Sequence, residues 1–162
     1  MDDVADTIDS RRFREVCGAY ATGVAVVTAV DAAGTPTGVT VNSFSSVSLN
    51  PRLVQFSLDR GASVYPVFEA ADHFAVNVLA REQEWLSARF STNANHFVGV
   101  EYIGWDNGCP IIQGCLANFE CSRYALHDGG DHVIILGHVR RLECVPAGEP
   151  LLFHRGQYGS FI

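Results

Sequence analysis

The feature that most restricts the fold is a series of short β-branched runs, each stopped by turn-forming residues. Val24-Ala25-Val26-Val27-Thr28-Ala29-Val30 halts at Asp31-Ala32-Ala33-Gly34-Thr35-Pro36, and Gly38-Val39-Thr40-Val41-Asn42 reads as its hairpin partner. Leu53 to Leu58 and His73 to Leu79 are two further strands. From Ala117 to Leu126 the residues alternate, with Phe119, Cys121 and Arg123 on one face and Asn118, Glu120 and Ser122 on the other. A turn over His127-Asp128-Gly129-Gly130-Asp131 leads into a long run from His132 to Val145, and Leu151-Leu152-Phe153 closes the pattern. Six or more strands with few helices predict a mainly β chain, an antiparallel barrel rather than a parallel α/β sheet.

Helices are few. Asp9 or Ser10 can cap an opening amphipathic helix whose apolar face carries Phe13, Val16, Cys17 and Tyr20, with Gly23 marking its end. Val64 to Glu69 and Glu82 to Phe90 are short helical stretches, Pro66 being tolerated near a first turn. The segment from Ser91 to Cys109 lacks periodicity and reads as a surface loop. No repeat or linker divides the chain, so residues 1–162 are expected to form one domain. With 48% hydrophobic and 18% charged residues, it has apolar side chains enough for a full core.

Charge and cysteines narrow the setting. A net charge of −7 repels polyphosphate backbones, which argues against nucleic-acid binding while leaving room for local arginines to hold a phosphate. The five cysteines, Cys17, Cys109, Cys115, Cys121 and Cys144, are odd in number and form no CxxC pair. They read as buried free thiols, Cys115 and Cys121 sharing a strand face, and reduced thiols point to the cytoplasm. The acidic N-terminus lacks the features of a signal peptide, and no apolar run reaches the ~18 residues that span a bilayer. A soluble protein without a membrane anchor is expected.

Familiar catalytic signatures are missing: there is no GxGxxG after a strand, no GxxxxGK[ST], no HExxH and no GxSxG, and the six histidines show no metal-ligand spacing. No metal is expected. Three segments could support binding instead. Gly38 to Pro51 runs from a strand into one amide and a group of serines, small donors suited to the edge of a flat heteroaromatic ring; a Ser-rich loop with no ligand is the alternative. Arg89 and Phe90 end a helical stretch, where the guanidinium could grip a phosphate or simply face solvent. Gly129-Gly130-Asp131-His132 forms a turn that lets a ligand approach the backbone, with Asp131 able to orient His132; spacing alone favours a plain hairpin with a surface histidine.

In their order along the chain, these segments resemble the short-chain flavin reductase family. The resemblance rests on Thr22 to Thr28, Gly38 to Pro51, Val76 to Leu79 with Gln83, Arg89-Phe90, and Gly130-Asp131-His132 with Gly137, and it covers roughly residues 11 to 160. It implies a split β-barrel, with an N-terminal helix and a few short ones, that binds FMN or FAD non-covalently. It also implies a homodimer with NADH or NADPH as hydride donor, and a separate flavin-dependent monooxygenase receiving the reduced flavin. By the same resemblance Thr40, Val41, Asn42, Ser43 and Phe44 line the isoalloxazine and ribityl chain, with Ser46 and Ser48 adding contacts. Ser57, Ser63, Arg89 and Phe90 hold the phosphate region, His132 within Gly130-Asp131-His132 meets the nicotinamide, and Tyr158 helps enclose that site. A pyridoxamine-phosphate oxidase-like enzyme, a flavin carrier without turnover and a barrel that binds nothing are the rival readings.

Overall fold

The computed structural model of the chain describes residues 8–92 and 96–159. Helix α1 (Ser10–Cys17) precedes β1 (Thr22–Gly23), β2 (Ala25–Val30), β3 (Pro36–Val41), β4 (Ser45–Leu49) and β5 (Arg52–Asp59). Helix α2 (Tyr65–Ala70), β6 (His73–Val78), a 3₁₀ turn (Arg81–Gln83) and α3 (Glu84–Phe90) follow. The remainder is β7 (Tyr102–Gly104), β8 (Pro110–Ile112), β9 (Ala117–Gly129), β10 (His132–Cys144), β11 (Leu152–His154) and β12 (Gln157–Gly159).

Seven strands form one antiparallel sheet in the order β3-β2-β6-β9-β10-β5-β4. Its first and last strands do not pair with each other, so the barrel is split. β1, β11 and β12 make a small three-stranded sheet, and β7 pairs with β8. The apolar run of β2 is explained by its place between two cores. Ala25, Val27 and Ala29 pack with Phe56, Phe68 and Phe74 on one side, while Val24 and Val26 pack with Leu79, Leu86, Phe90, Ile112 and Leu151 on the other. Alternate side chains of one strand feed opposite layers, and both layers are apolar. The larger core is built on edge-to-face contacts of Phe56 with Phe68 and Phe74, centroids 5.9 and 5.2 Å apart.

A buried polar knot pins the β7–β8 ribbon to this sheet. Thr28 donates its hydroxyl to the Pro110 carbonyl at 2.6 Å. The Asn77 amide donates to Val26 O (3.0 Å), while its oxygen accepts from Ile112 N (2.9 Å) and from the Asn118 amide (2.8 Å). Thr28 and Asn77 are wholly buried, so each such group must find a partner inside the protein.

Several expectations from sequence are corrected. The serine stretch after Asn42 does not continue as open loop: Ser45–Leu49 pairs with β5 through backbone bonds that a polar side-chain pattern does not reveal. Tyr102–Gly104 is a strand inside the stretch read as loop, too short to show a period. The expected five-residue turn shrinks to Gly130-Asp131, since ladder pairing continues to Gly129 and His132. Helix α1 ends at Cys17 with Gly18 as its cap rather than near Gly23, and Asp9 caps its start by accepting from Arg12 N at 2.8 Å. Its apolar residues are not buried: Phe13 is 62% and Val16 57% exposed. Cys115 lies off the strands, in a different core cluster from Cys121, while Cys17 and Cys144 are exposed. The buried thiols of Cys109, Cys115 and Cys121 are each pushed up to about 12, chiefly by burial.

Candidate functional site

The site grows from the end of β3. Hairpin register sets Val26 opposite Thr40 and Ala25 opposite Val41, which delivers the chain to Asn42, Ser43 and Phe44 at the open edge of the sheet. Hydrogen bonds then fix this segment. Thr40 donates its hydroxyl to Ser87 O of α3 at 2.7 Å. Ser43 Oγ accepts from Ser57 N at 2.9 Å and faces Ser57 O at 3.3 Å, bridging the end of β3 to β5 across the split. The Phe44 ring rests half-buried against Phe119, 5.4 Å between centroids. Phe90 is buried under Gly38, where an added Cβ would fall 2.8 Å from its ring, so α3 lies tight on β3.

Four adjoining concavities share these residues. Thr40 borders three of them: one of about 180 Å³ with Ser63 and Phe90, one of about 220 Å³ with Ser87 and Tyr158, and one of about 240 Å³ with Ser57 and His132. Asn42 borders the latter two and the largest, about 1080 Å³, which reaches from Phe44 and His132 to α1. Together they make one open groove.

His132 stands on its rim. The β9–β10 hairpin turns on Gly130, whose φ of 76° is the left-handed conformation glycine adopts readily. Asp131 then brings a carboxylate oxygen 2.6 Å from His132 Nδ1. This hydrogen bond, with the attraction to the ring, holds the Asp131 carboxyl below its ordinary value. It also turns Nε2 of His132 away from Asp131. The hairpin is held from the side by Arg60, whose backbone N–H donates to Asp131 O (3.0 Å) and whose side chain donates to Gly130 O (3.2 Å) and Asp128 Oδ1 (3.0 Å).

Of the residues expected from sequence, Thr40, Val41, Asn42, Ser43, Phe44, Ser57, Ser63, Phe90, His132 and Tyr158 line this groove. Ser46 and Ser48 lie on β4 outside it, and Gly130 and Asp131 support it from behind. Arg89 stacks its guanidinium over Trp85, 5.2 Å from the ring centroid, and donates to Val98 O. Ser87 was not anticipated: its hydroxyl meets the Tyr158 hydroxyl at 2.7 Å while its carbonyl takes Thr40. Its spacing of three before Phe90 was the available signal, placing both on one helix face.

Two observations suit the groove to a planar, hydrogen-bonding cofactor. The exposed Asn42 amide faces three concavities, and Thr22 Oγ1, beside the largest, is the one buried side-chain polar atom among the described residues without a partner. No group of three or more metal-ligating side chains occurs among the described residues, and the buried thiols are protonated.

An antiparallel split barrel with an open, hydroxyl-lined groove at its sheet edge and a histidine on the rim defines the class of protein. The chain belongs to the flavin reductase like domain family, which matches it over residues 17–161. The FMN reductase (NADH) SmoA of Agrobacterium fabrum is 49% identical over 153 residues, covering 94% of this chain and 87% of the relative. The reductase subunit HsaB of a flavin-dependent monooxygenase from Rhodococcus jostii is 42% identical over 155 residues, covering 95% of this chain and 79% of the relative. Among solved structures, the NADH:FAD oxidoreductase SgcE6 of Streptomyces globisporus, in complex with NAD and FAD fragments, superposes with a TM-score of 0.91 at 36% identity. It covers 100% of this chain and 98% of its own.

Proposed function

We propose that this chain is an NAD(P)H:flavin oxidoreductase, with NADH the favoured donor, that reduces FMN or FAD and hands the reduced flavin to a separate monooxygenase. One observation carries the reading: the groove is continuous from the Thr40–Phe44 segment to His132, and it offers amide and hydroxyl donors along that length. Hydride chemistry belongs to the two cofactors, which leaves the protein to orient them and exclude water between them. In this reading Thr40 to Phe44 floor the flavin site, and Ser57, Ser63 and Phe90 bound its phosphate end. His132, oriented by Asp131, meets the nicotinamide. Arg89, with one guanidinium nitrogen on the Val98 carbonyl, offers its remaining N–H groups to a phosphate.

The groove is open rather than enclosed, which suits a flavin that must depart after reduction. Edge strand β4 exposes Val47 (47%) and Leu49 (91%), apolar area that a second copy would cover in a homodimer. No helix among the described residues is long and apolar enough to cross a membrane, and together with the free thiols this supports a cytoplasmic setting.

The test is anaerobic bleaching of FMN, FAD and riboflavin by NADH and by NADPH, each with catalytic amounts of protein. Multiple turnovers of free flavin are expected. Tight flavin retention without NADH consumption would point to a carrier, and oxidation of pyridoxamine phosphate to the rival oxidase. Sedimentation of the native protein and of Leu49→Glu, which should be monomeric, tests the dimer.

A further inference from the structure

The largest concavity, about 1080 Å³, extends well past the flavin floor to α1 and the loop after it. Among the described residues, Arg14 is the only formally charged one lining it, and no aspartate or glutamate does. In a chain of net charge −7, this gives the cavity a locally cationic wall that favours an anionic group. The guanidinium is also poorly engaged. Its contacts are long hydrogen bonds to Ser10 O (3.3 Å) and Ser10 Oγ (3.4 Å), whereas Arg12, Arg60, Arg81, Arg123 and Arg141 each pair with a carboxylate. Tyr20 lines the same cavity and is 79% exposed, a flat aromatic surface with no ring partner among the described residues. The wall is steadied where Arg155 N donates to Gly18 O at 2.8 Å.

We propose that Arg14 and Tyr20 form a subsite for an adenosine diphosphate moiety, the guanidinium taking the diphosphate and the tyrosine ring stacking on the purine. This rests on the reductase reading, in which His132, at the other end of the cavity, meets the nicotinamide. Two molecules of that reaction carry the moiety, NADH and FAD, and the same subsite chemistry serves either.

The experiment compares Arg14→Met, Arg14→Lys and Tyr20→Ala with native protein, and uses Arg11→Gln as a control because Arg11 lies outside the cavity. Binding of ADP is measured by calorimetry without turnover. Steady-state kinetics then give two ratios of kcat/KM, NADH over benzyl-dihydronicotinamide and FAD over FMN. Arg14→Met should weaken ADP roughly tenfold and lower one of the ratios by about the same factor, a charge-assisted contact being worth that much. Arg14→Lys should recover part of the loss, and Tyr20→Ala should lower the same ratio by roughly five- to tenfold. A fall in the donor ratio assigns the subsite to NADH, and a fall in the flavin ratio assigns it to FAD. Unchanged ADP affinity, or equal losses for the intact and truncated molecules, overturns the proposal. Failure of native protein to reduce any flavin defeats the reductase reading separately, because the ADP arm does not depend on turnover.

Discussion

Replacing Asn77 with alanine removes the centre of the polar knot between the sheet and the β7–β8 ribbon. The truncation deprives Ile112 N–H and the Asn118 amide of their acceptor, at 2.9 and 2.8 Å, and Val26 O of a donor at 3.0 Å. Asn77 is wholly buried, so the stranded groups do not simply turn to solvent. Each buried group left without a partner costs about 1–3 kcal/mol, so two or three of them cost ~4 kcal/mol. For a domain of this size that lowers the melting temperature by roughly 10 °C. Urea unfolding followed by tryptophan fluorescence measures the change, at one fixed protein concentration because association shifts the midpoint. Asn77→Asp keeps the acceptor but buries a charge, and should lose at least as much. A loss below about 1 kcal/mol for Asn77→Ala would refute the reasoning, since it would mean that the knot relaxes or admits water.

Four further outcomes are expected. His132→Ala should reduce kcat/KM for NADH roughly tenfold, the scale of one lost hydrogen bond to a charged group, with a smaller effect on flavin affinity; unchanged kinetics would remove His132 from the site. Gly38→Ala drives a Cβ to within 2.8 Å of the Phe90 ring, so overpacking should cost ~1–3 kcal/mol and raise KM for flavin as α3 is pushed off β3. The thiols of Cys109, Cys115 and Cys121 are raised from 9.0 to about 12 in the folded protein. Their stabilising contribution is therefore complete below pH 9 and is lost as pH rises toward 12, so urea midpoints should fall over that range. In native protein only Cys17 and Cys144 should react quickly with a thiol reagent; fast labelling of a third cysteine would contradict the burial.

The parts of the fold legible in the sequence are those where side-chain chemistry and backbone pairing agree. The run from Val24 to Val30 is apolar because both faces of β2 are covered, and the alternation from Ala117 onward reflects a strand with unlike faces. Strands β4 and β7 escaped because their pairing rests on backbone groups in short stretches, one rich in serine and the other only three residues long. The amphipathic pattern of α1 was legible, but not that its apolar face would lie open in the single chain. In the site, Thr40 to Phe44 and His132 were legible as motifs, whereas Ser87 was not. Its bonds reach residues 47 and 71 positions away, and no local spacing encodes such partners. Arg60 was missed for the same reason, its carbonyl acceptor lying 70 positions on.

Strand β3 terminates its sheet, so no further strand is hydrogen-bonded along its free edge beside the groove. A flat guest therefore slips out sideways without breaking any ladder hydrogen bond. The lifetime of the complex is set by a few side-chain contacts, and tightening any of them retards delivery by the same factor that it improves retention. Affinity and throughput are coupled by the seam itself.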